Sequence, residues 1–249
     1  MTSFQDGERS PWHSFLPQET SLQLWRDREF RDGTENMAMD EALLLCADQP
    51  VLRFYAWQKP EITLGFFTPT STISGRQEPL TRRWTGGGVV EHGEDLTFSL
   101  SVPRRFLASA TSAGDRYRQI HEALALALRD HGLPQAIAAP SLATTDHSDS
   151  PGFCFAEPVA WDVIDTASGE KLAGGAQRRS RAGLLHQGSV RLPPALRTMD
   201  HEWTSTFASL LTGRGDRIES ISAPSPENLA YADQLKRERY SCADWNGRF

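Results

Sequence analysis

Three consecutive glycines, Gly86, Gly87 and Gly88, stand between two β-type runs, and they constrain this chain more than any other feature. Glycine loses more backbone freedom on folding than other residues and leaves a strand with nothing to pack. A run of three is tolerable in a tight turn or bulge, or where a ligand must lie against bare backbone. In the second case the exposed N–H groups can receive a carbonyl or phosphate oxygen. Arg82 and Arg83 precede the run and His92 follows it. A guanidinium can hold an anion through a planar two-point contact. The same string also reads as a turn with two solvated arginines, but the Arg pair and His92 together favour the ligand.

A second informative stretch is Gly169-Glu-Lys171-Leu-Ala-Gly174-Gly175-Ala176-Gln-Arg178-Arg179. Lys171 opens a strand of small residues, over which its compact cationic head could reach a bound carbonyl and stabilise an oxyanion. Taken alone, a lysine at a turn is more often simply solvated. In the third stretch, Phe153–Pro158, a single cysteine, Cys154, sits between aromatics. Such a residue is more often a small buried hydrophobe than a nucleophile, and reactivity would require a nearby positive charge. His92 and His186 fall in informative stretches. No Ser-His-Asp order, P-loop, GxGxxG or HExxH signature is present.

Cys46, Cys154 and Cys242 are odd in number, far apart and without a CxxC pair, which argues against a disulfide framework and against a metal site. A net charge of -6 argues against nucleic-acid binding. Within this acidic chain, however, Arg76, Arg82 and Arg83 form one basic island, and Lys171, Arg178, Arg179 and Arg181 another. They suggest one anionic partner met at one place, or scattered solvated charge. No window approaches the roughly 18 apolar residues of a membrane span. The N-terminus lacks the basic start and apolar run of a signal peptide. These features predict a cytoplasmic protein without membrane attachment.

Residues 1–20 read as a polar arm and residues 21–249 as one domain with a short C-terminal tail. Asn36–Asp48 has helical spacing, with Thr34 or Asn36 as cap. Strands are predicted at Val51–Trp57, Ile62–Phe67, Leu80–Trp84, Val89–Glu91, Leu96–Val102, Ala160–Ile164, from Lys171, and at Leu184–Leu192. Helices are predicted at Tyr117–His131 and around Trp203–Leu211, a surface loop at 136–152, and a polar tail to Phe249. Mixed strands with a few flanking helices give an α+β or α/β sandwich.

The ordered stretches NMAMDEALL (from Asn36), RRWTGGGVVEH (from Arg82), and GEKLAGGAQRR followed by LLHQGSV (from Gly169 and Leu184) resemble the biotin/lipoate protein ligase family. The similarity lies with its branch of lipoate–protein ligases and lipoyl-carrier octanoyltransferases. That resemblance implies an α+β catalytic domain, a mixed β-sheet sandwich with flanking helices. It assigns substrate binding to Arg82, Arg83, Thr85, Gly86, Gly87, Gly88, His92, Gly174, Gly175, Ala176 and His186, and catalysis to Lys171, with no metal ligand.

Cys154-Phe-Ala-Glu-Pro158 is similar to the context in which one group of octanoyltransferases carries the acyl group as a cysteine thioester, and Asp95–Ser99 also resembles that group. Gly88 is instead similar to the ligases. The implied activity is transfer of an octanoyl or lipoyl group onto a lysine of a lipoyl carrier domain, through a Cys154 thioester with Lys171 on the oxyanion and no cofactor. The alternative is an ATP-dependent lipoate–protein ligase, using ATP and Mg through lipoyl-adenylate. A non-catalytic acyl-binding paralogue is a third reading. Implied donors are acyl carrier protein or free lipoate. Implied acceptors are lipoyl domains or the glycine-cleavage H protein.

Overall fold

The computed structural model describes residues 15–17, 19–108, 111–140, 159–213 and 215–248. The expected arm at 1–20 and loop at 136–152 therefore lie largely outside the described residues, and Cys154 lies wholly outside them. Among the described residues eleven strands build two sheets: β1 (Leu22–Arg26), β2 (Val51–Tyr55), β3 (Glu61–Leu64), β4 (Leu80–Arg82), β5 (Val89–His92), β6 (Leu96–Pro103), β7 (Ala136–Ala138), β8 (Val163–Asp165), β9 (Lys171–Arg179), β10 (Gly183–Val190) and β11 (Ile218–Ile221). The larger sheet runs β11-β1-β2-β6-β10-β9-β8-β7, and the smaller runs β4-β3-β5. The β11–β1, β1–β2 and β3–β4 pairs are parallel and the others antiparallel.

β2 is buried on both faces, and its alternation serves two cores. Leu52 and Phe54 join the core under helices α2 (Ala113–Asp130) and α3 (Glu202–Thr212). Val51 and Tyr55 join the core under α1 (Gly33–Cys46) and α4 (Pro226–Leu235). Arg53 shares the second face. It donates to Asp27 and Asp40 and stacks 4.1 Å from the Tyr55 ring centroid, so its buried charge is matched by two buried carboxylates.

β6 alternates apolar and hydroxyl residues, the pattern of a strand with one wet face, yet all eight of its residues are buried. Its hydroxyl face lies under α1, where Ser99 donates to Asp40 at 2.7 Å. Helix α1 starts one turn earlier than its spacing suggested. The cap is Asp32, which accepts from Glu35 N while Glu35 accepts from Asp32 N, a reciprocal capping box.

The tail is a second departure from expectation. β11 adds an edge strand to the main sheet, α4 packs on α1, and a π turn over Lys236–Tyr240 continues α4. Tyr240 donates to the buried Glu41 of α1 at 2.6 Å, and Lys236 pairs with Glu35 at 2.9 Å. Among the described residues no helix is long and apolar enough to cross a membrane.

Candidate active site

The α1 face of the main sheet carries a cavity of about 220 Å3, roofed by the smaller sheet. Its floor is one row of strand partners: Tyr55 opposite Thr97, Thr97 opposite Ser189, Ser189 opposite Gly174. Three strand spacings give this row a length of roughly 14 Å. Met37, Tyr55, Trp57 and Thr97 line one part of the slot, and Lys171, Gly174, Gly175 and Ala176 another. The floor is bare where glycines occur. At Gly174 a Cβ would lie 2.5 Å from Lys171 Cε, whereas Cβ atoms on Gly188 and Gly175 would point away from the slot, 2.3 Å from the Phe98 ring and 2.7 Å from His186 Nε2.

The glycine run forms the roof by backbone contact. Gly87 takes a φ of 84°, in the region glycine favours. A Cβ on Gly65 would stand 1.8 Å from Gly87 O, so the two loops meet main chain to main chain. Gly65 N donates to Gly88 O at 3.0 Å, Phe66 N to Thr85 O at 2.8 Å, and the Thr68 hydroxyl to Gly87 O at 2.8 Å. Gly87 and Gly88 line the slot, whereas Gly86 does not.

The two arginines divide. Arg83 lines the slot and fixes the loop, donating to Thr63 O and Oγ1 and to the carbonyls of Gly86 and Gly88. Arg82 is not among the lining residues. Its guanidinium donates to the carbonyls of Gly65, Phe66, Thr68, Trp245, Asn246 and Arg248, at 2.5 to 3.4 Å. Burial, then Arg248 and Arg83, lower its pKa. The arginine expected at the substrate thus ties the roof to the tail.

Thr85 also sits behind the lining, where it donates to Gln187 Oε1 at 2.7 Å. Gln187 in turn donates to Asp40 at 2.7 Å and to Met37 Sδ at 3.2 Å. His92 lines the slot in a stack with Trp57, with centroids 3.8 Å apart. Its Nδ1 meets Asp95 at 2.8 Å and its Nε2 meets Thr63 Oγ1 at 2.8 Å. Burial would raise the Asp95 pKa. The positive field of His92, with hydrogen bonds from His92, Ser189 and Gly93 N, outweighs it and brings the group down to about 2.

Lys171 Nζ meets Asp162 Oδ2 at 2.7 Å, and the two side chains are 5% and 0% exposed. Asp162 also accepts from the Tyr117 hydroxyl at 2.5 Å and from Val159 N at 2.7 Å. The Tyr117 oxygen accepts from Gly175 N at 2.9 Å, joining helix α2 to the small-residue strand. His186 lies beneath this strand rather than in the slot, against Phe98. Burial, then His121, keep His186 well below the usual imidazole range. Burial, then Lys171, bring His121 down to about 3. Both imidazoles are neutral near pH 7 and place no charge beneath the small-residue strand.

Of the expected site residues, Arg83, Gly87, Gly88, His92, Lys171, Gly174, Gly175 and Ala176 come together around the slot. Arg82, Thr85, Gly86 and His186 stand behind it, and Cys154 is outside the described residues. Sequence reasoning missed Tyr117, Asp162, Thr63 and Gln187. Asp162 and Lys171 are nine positions apart, across a turn whose geometry no periodicity reveals.

The two mixed sheets closing on one slot define the class of protein as an α+β domain with the lipoate-ligase fold. A solved lipoate-protein ligase A bound with ATP superposes with a TM-score of 0.68, covering 93% of this chain and 100% of that one at 21% identity. A bi-partite lipoate protein ligase from Thermoplasma acidophilum gives 0.66 over 94% and 98%, at 19% identity. The chain belongs to the lipoyl protein ligase A/B catalytic domain family, whose model matches residues 32–231.

Among curated relatives, octanoyltransferase LipM of Moorella thermoacetica is 33% identical over 189 residues, 71% of this chain and 67% of that protein. Octanoyltransferase LipM of Oceanobacillus iheyensis is 32% identical over 178 residues, 65% of this chain. The match spans 61% of that relative's length.

Proposed function

We propose that the chain transfers an octanoyl or lipoyl group onto a lysine of a lipoyl carrier domain. The observation that carries this reading is the slot itself. It is long, narrow and mostly apolar, and its small-residue wall includes Lys171, paired with the buried Asp162 behind it. A medium-length acyl chain laid along the Tyr55–Thr97–Ser189–Gly174 row brings its carbonyl beside Lys171. There a cation in a desolvated setting stabilises a developing oxyanion far better than it would in water. The similarity to proteins named octanoyltransferase LipM supports the same chemistry.

The transfer proceeds in two steps. The Cys154 thiolate attacks the carbonyl of an acyl thioester, the C–S bond to the donor breaks, and the donor thiol leaves with a proton. The neutral amine of the acceptor lysine then attacks the enzyme thioester. An amide forms, Cys154 departs as thiolate, and the ammonium proton goes to solvent. Splitting the reaction this way needs no ATP. Lys171 serves both steps because each passes through a tetrahedral oxyanion. The donor in this reading is acyl carrier protein, and the acceptor a lipoyl domain or the glycine-cleavage H protein. The bi-partite T. acidophilum ligase belongs to a lipoylation system with its own E2 lipoyl domain, which favours an acceptor of that kind.

A second reading is an ATP-dependent lipoate–protein ligase, favoured by Gly88 and by the fold similarity to a ligase bound with ATP. Lys171 and Arg83 are the lining cations that would then face a lipoyl-adenylate. Intact-protein mass spectrometry after incubation with octanoyl-acyl carrier protein, without ATP, separates the two. A hydroxylamine-labile octanoyl adduct that disappears in Cys154→Ala is expected. No adduct, with pyrophosphate released from ATP and lipoate, would establish the ligase instead.

A further inference from the structure

Outside the slot, three guanidiniums and three aromatic rings alternate in a ladder. Arg239 lies over Trp245 at 5.0 Å, and Arg248 over both Trp245 and Phe66 at 5.4 and 5.2 Å. Arg178 lies over both Phe66 and Trp84, at 5.0 and 5.2 Å. A guanidinium held against a ring has its face occupied and offers its in-plane N–H fork to carboxylates and phosphates. Arg239 already gives that fork to the buried Glu41 of α1, whereas Arg178 forms no such pair among the described residues. The ladder adjoins the slot through its chain neighbours. Ala176 lines the slot two residues before Arg178, and Thr68, hydrogen-bonded to Gly87 O, follows Phe66 by two. Beside it, Phe67 is 68% exposed.

The positive charge continues along the same edge. Arg179 and Arg181 are exposed at the end of β9. Arg104, also exposed, follows β6 where its N donates to Ala182 O at 2.7 Å. Arg116 on α2 has its pKa lowered by burial and then by Arg179 and Arg104, so these guanidiniums repel one another. Among the described residues no carboxylate forms an ion pair with Arg104, Arg178, Arg179 or Arg181, although the chain as a whole carries a net charge of -6. Uncompensated like charge beside an exposed phenylalanine is a surface complementary to an acidic partner.

We propose that this edge, centred on Arg178, Arg179 and Phe67, is the docking surface for an acidic carrier domain that delivers the acyl group. The inference rests on the acyl-transfer reading above. The donor is assigned to it because its thioester carbonyl must reach Lys171, which opens the same strand, β9, that ends at Arg178 and Arg179, so the carrier holding that thioester stands at this edge.

The test uses the full chain with Arg178→Glu and Arg179→Glu combined. Binding of fluorescently labelled octanoyl-acyl carrier protein is followed by anisotropy. Acylation is followed with that donor and with the neutral octanoyl thioester of N-acetylcysteamine. Reversal is expected to weaken carrier binding and raise its KM by at least about tenfold, with kcat held. The neutral thioester should be used within about twofold of wild type, and added salt should weaken carrier binding to the wild type alone. Equal loss on both donors, unchanged carrier binding, or weakened binding of a lipoyl domain only would each overturn the assignment. Charge-dependent carrier binding with no acylation from either donor would sink the transfer reading and leave the docking surface standing.

Discussion

Lys171 Nζ sits 2.7 Å from Asp162 Oδ2, and Asp162 is the single carboxylate that also receives Tyr117 and Val159 N. The lysine is therefore positioned by a loop residue and a helix residue, not by its own strand alone. Removing one partner of a buried, hydrogen-bonded ion pair strands the other and costs roughly 3–5 kcal/mol. Asp162→Ala is expected to lower urea-unfolding stability on that scale and to impair acyl transfer as severely as Lys171→Ala. In a double-mutant cycle the two changes should couple by more than about 1 kcal/mol, since they remove one interaction. Additive effects would mean that Lys171 finds its position without Asp162.

Asp95 anchors the other wall, and its depressed pKa makes acid stability a readout of the site. A carboxyl whose folded pKa lies below its unfolded value contributes stability that is present above the unfolded value. That stability is lost as pH falls toward the folded one. With an ordinary value of 3.8 and a folded value of about 2, the window is pH 4 down to 2. A shift of that size corresponds to about 2–3 kcal/mol. Asp95→Asn should be less stable than wild type at pH 6, and its unfolding free energy should fall less between pH 4 and 2. Parallel pH curves from guanidinium titrations would show that Asp95 is not the group responsible.

Arg82 makes the tail part of the roof. Its six carbonyl acceptors come half from residues 65–68 and half from residues 245–248, with Trp245 Nε1 returning a bond to Arg82 O at 2.9 Å. A lysine ammonium has three N–H donors, so Arg82→Lys leaves about half of these carbonyls unmet. Both Arg82→Lys and Trp245→Ala should lower the melting temperature and weaken octanoate binding, and the double variant should be little worse than either. If Arg82 instead touched substrate directly, Trp245→Ala would leave octanoate affinity at the wild-type value.

The legible parts of this molecule are those fixed by near neighbours in sequence. Helix α1, the strands from Val51 to Val102 and the glycine roof announce themselves through spacing and composition. β7 has three residues, and β11 is a half-exposed edge strand, so neither offers enough alternation to read. β6 misleads in the opposite sense, because its hydroxyl face is covered by α1 rather than by water. The division between Arg82 and Arg83 was not legible at all. Adjacent strand residues point to opposite faces, but which face holds the slot is decided by the tail, more than 160 positions away.

The roof depends on the missing side chain of Gly65 more than on that of Gly86. A Cβ at Gly65 would stand 1.8 Å from Gly87 O and 2.7 Å from Gly87 C, so backbone rather than a movable side chain must yield. A Cβ at Gly86 meets nothing within 4 Å. Neither residue has a positive φ, so alanine meets no backbone strain at either position and only the contact differs. Gly65→Ala should push the loops apart, lowering stability by about 1–3 kcal/mol as overpacking does. Octanoate binding should fall with it, because Gly87 and Gly88 line the slot. Gly86→Ala should be neutral or stabilising by up to about 1 kcal/mol, through a less flexible unfolded chain. Thermal melts of the two variants beside octanoate titrations decide the matter. Equal destabilisation at both positions would mean that the loops do not meet main chain to main chain.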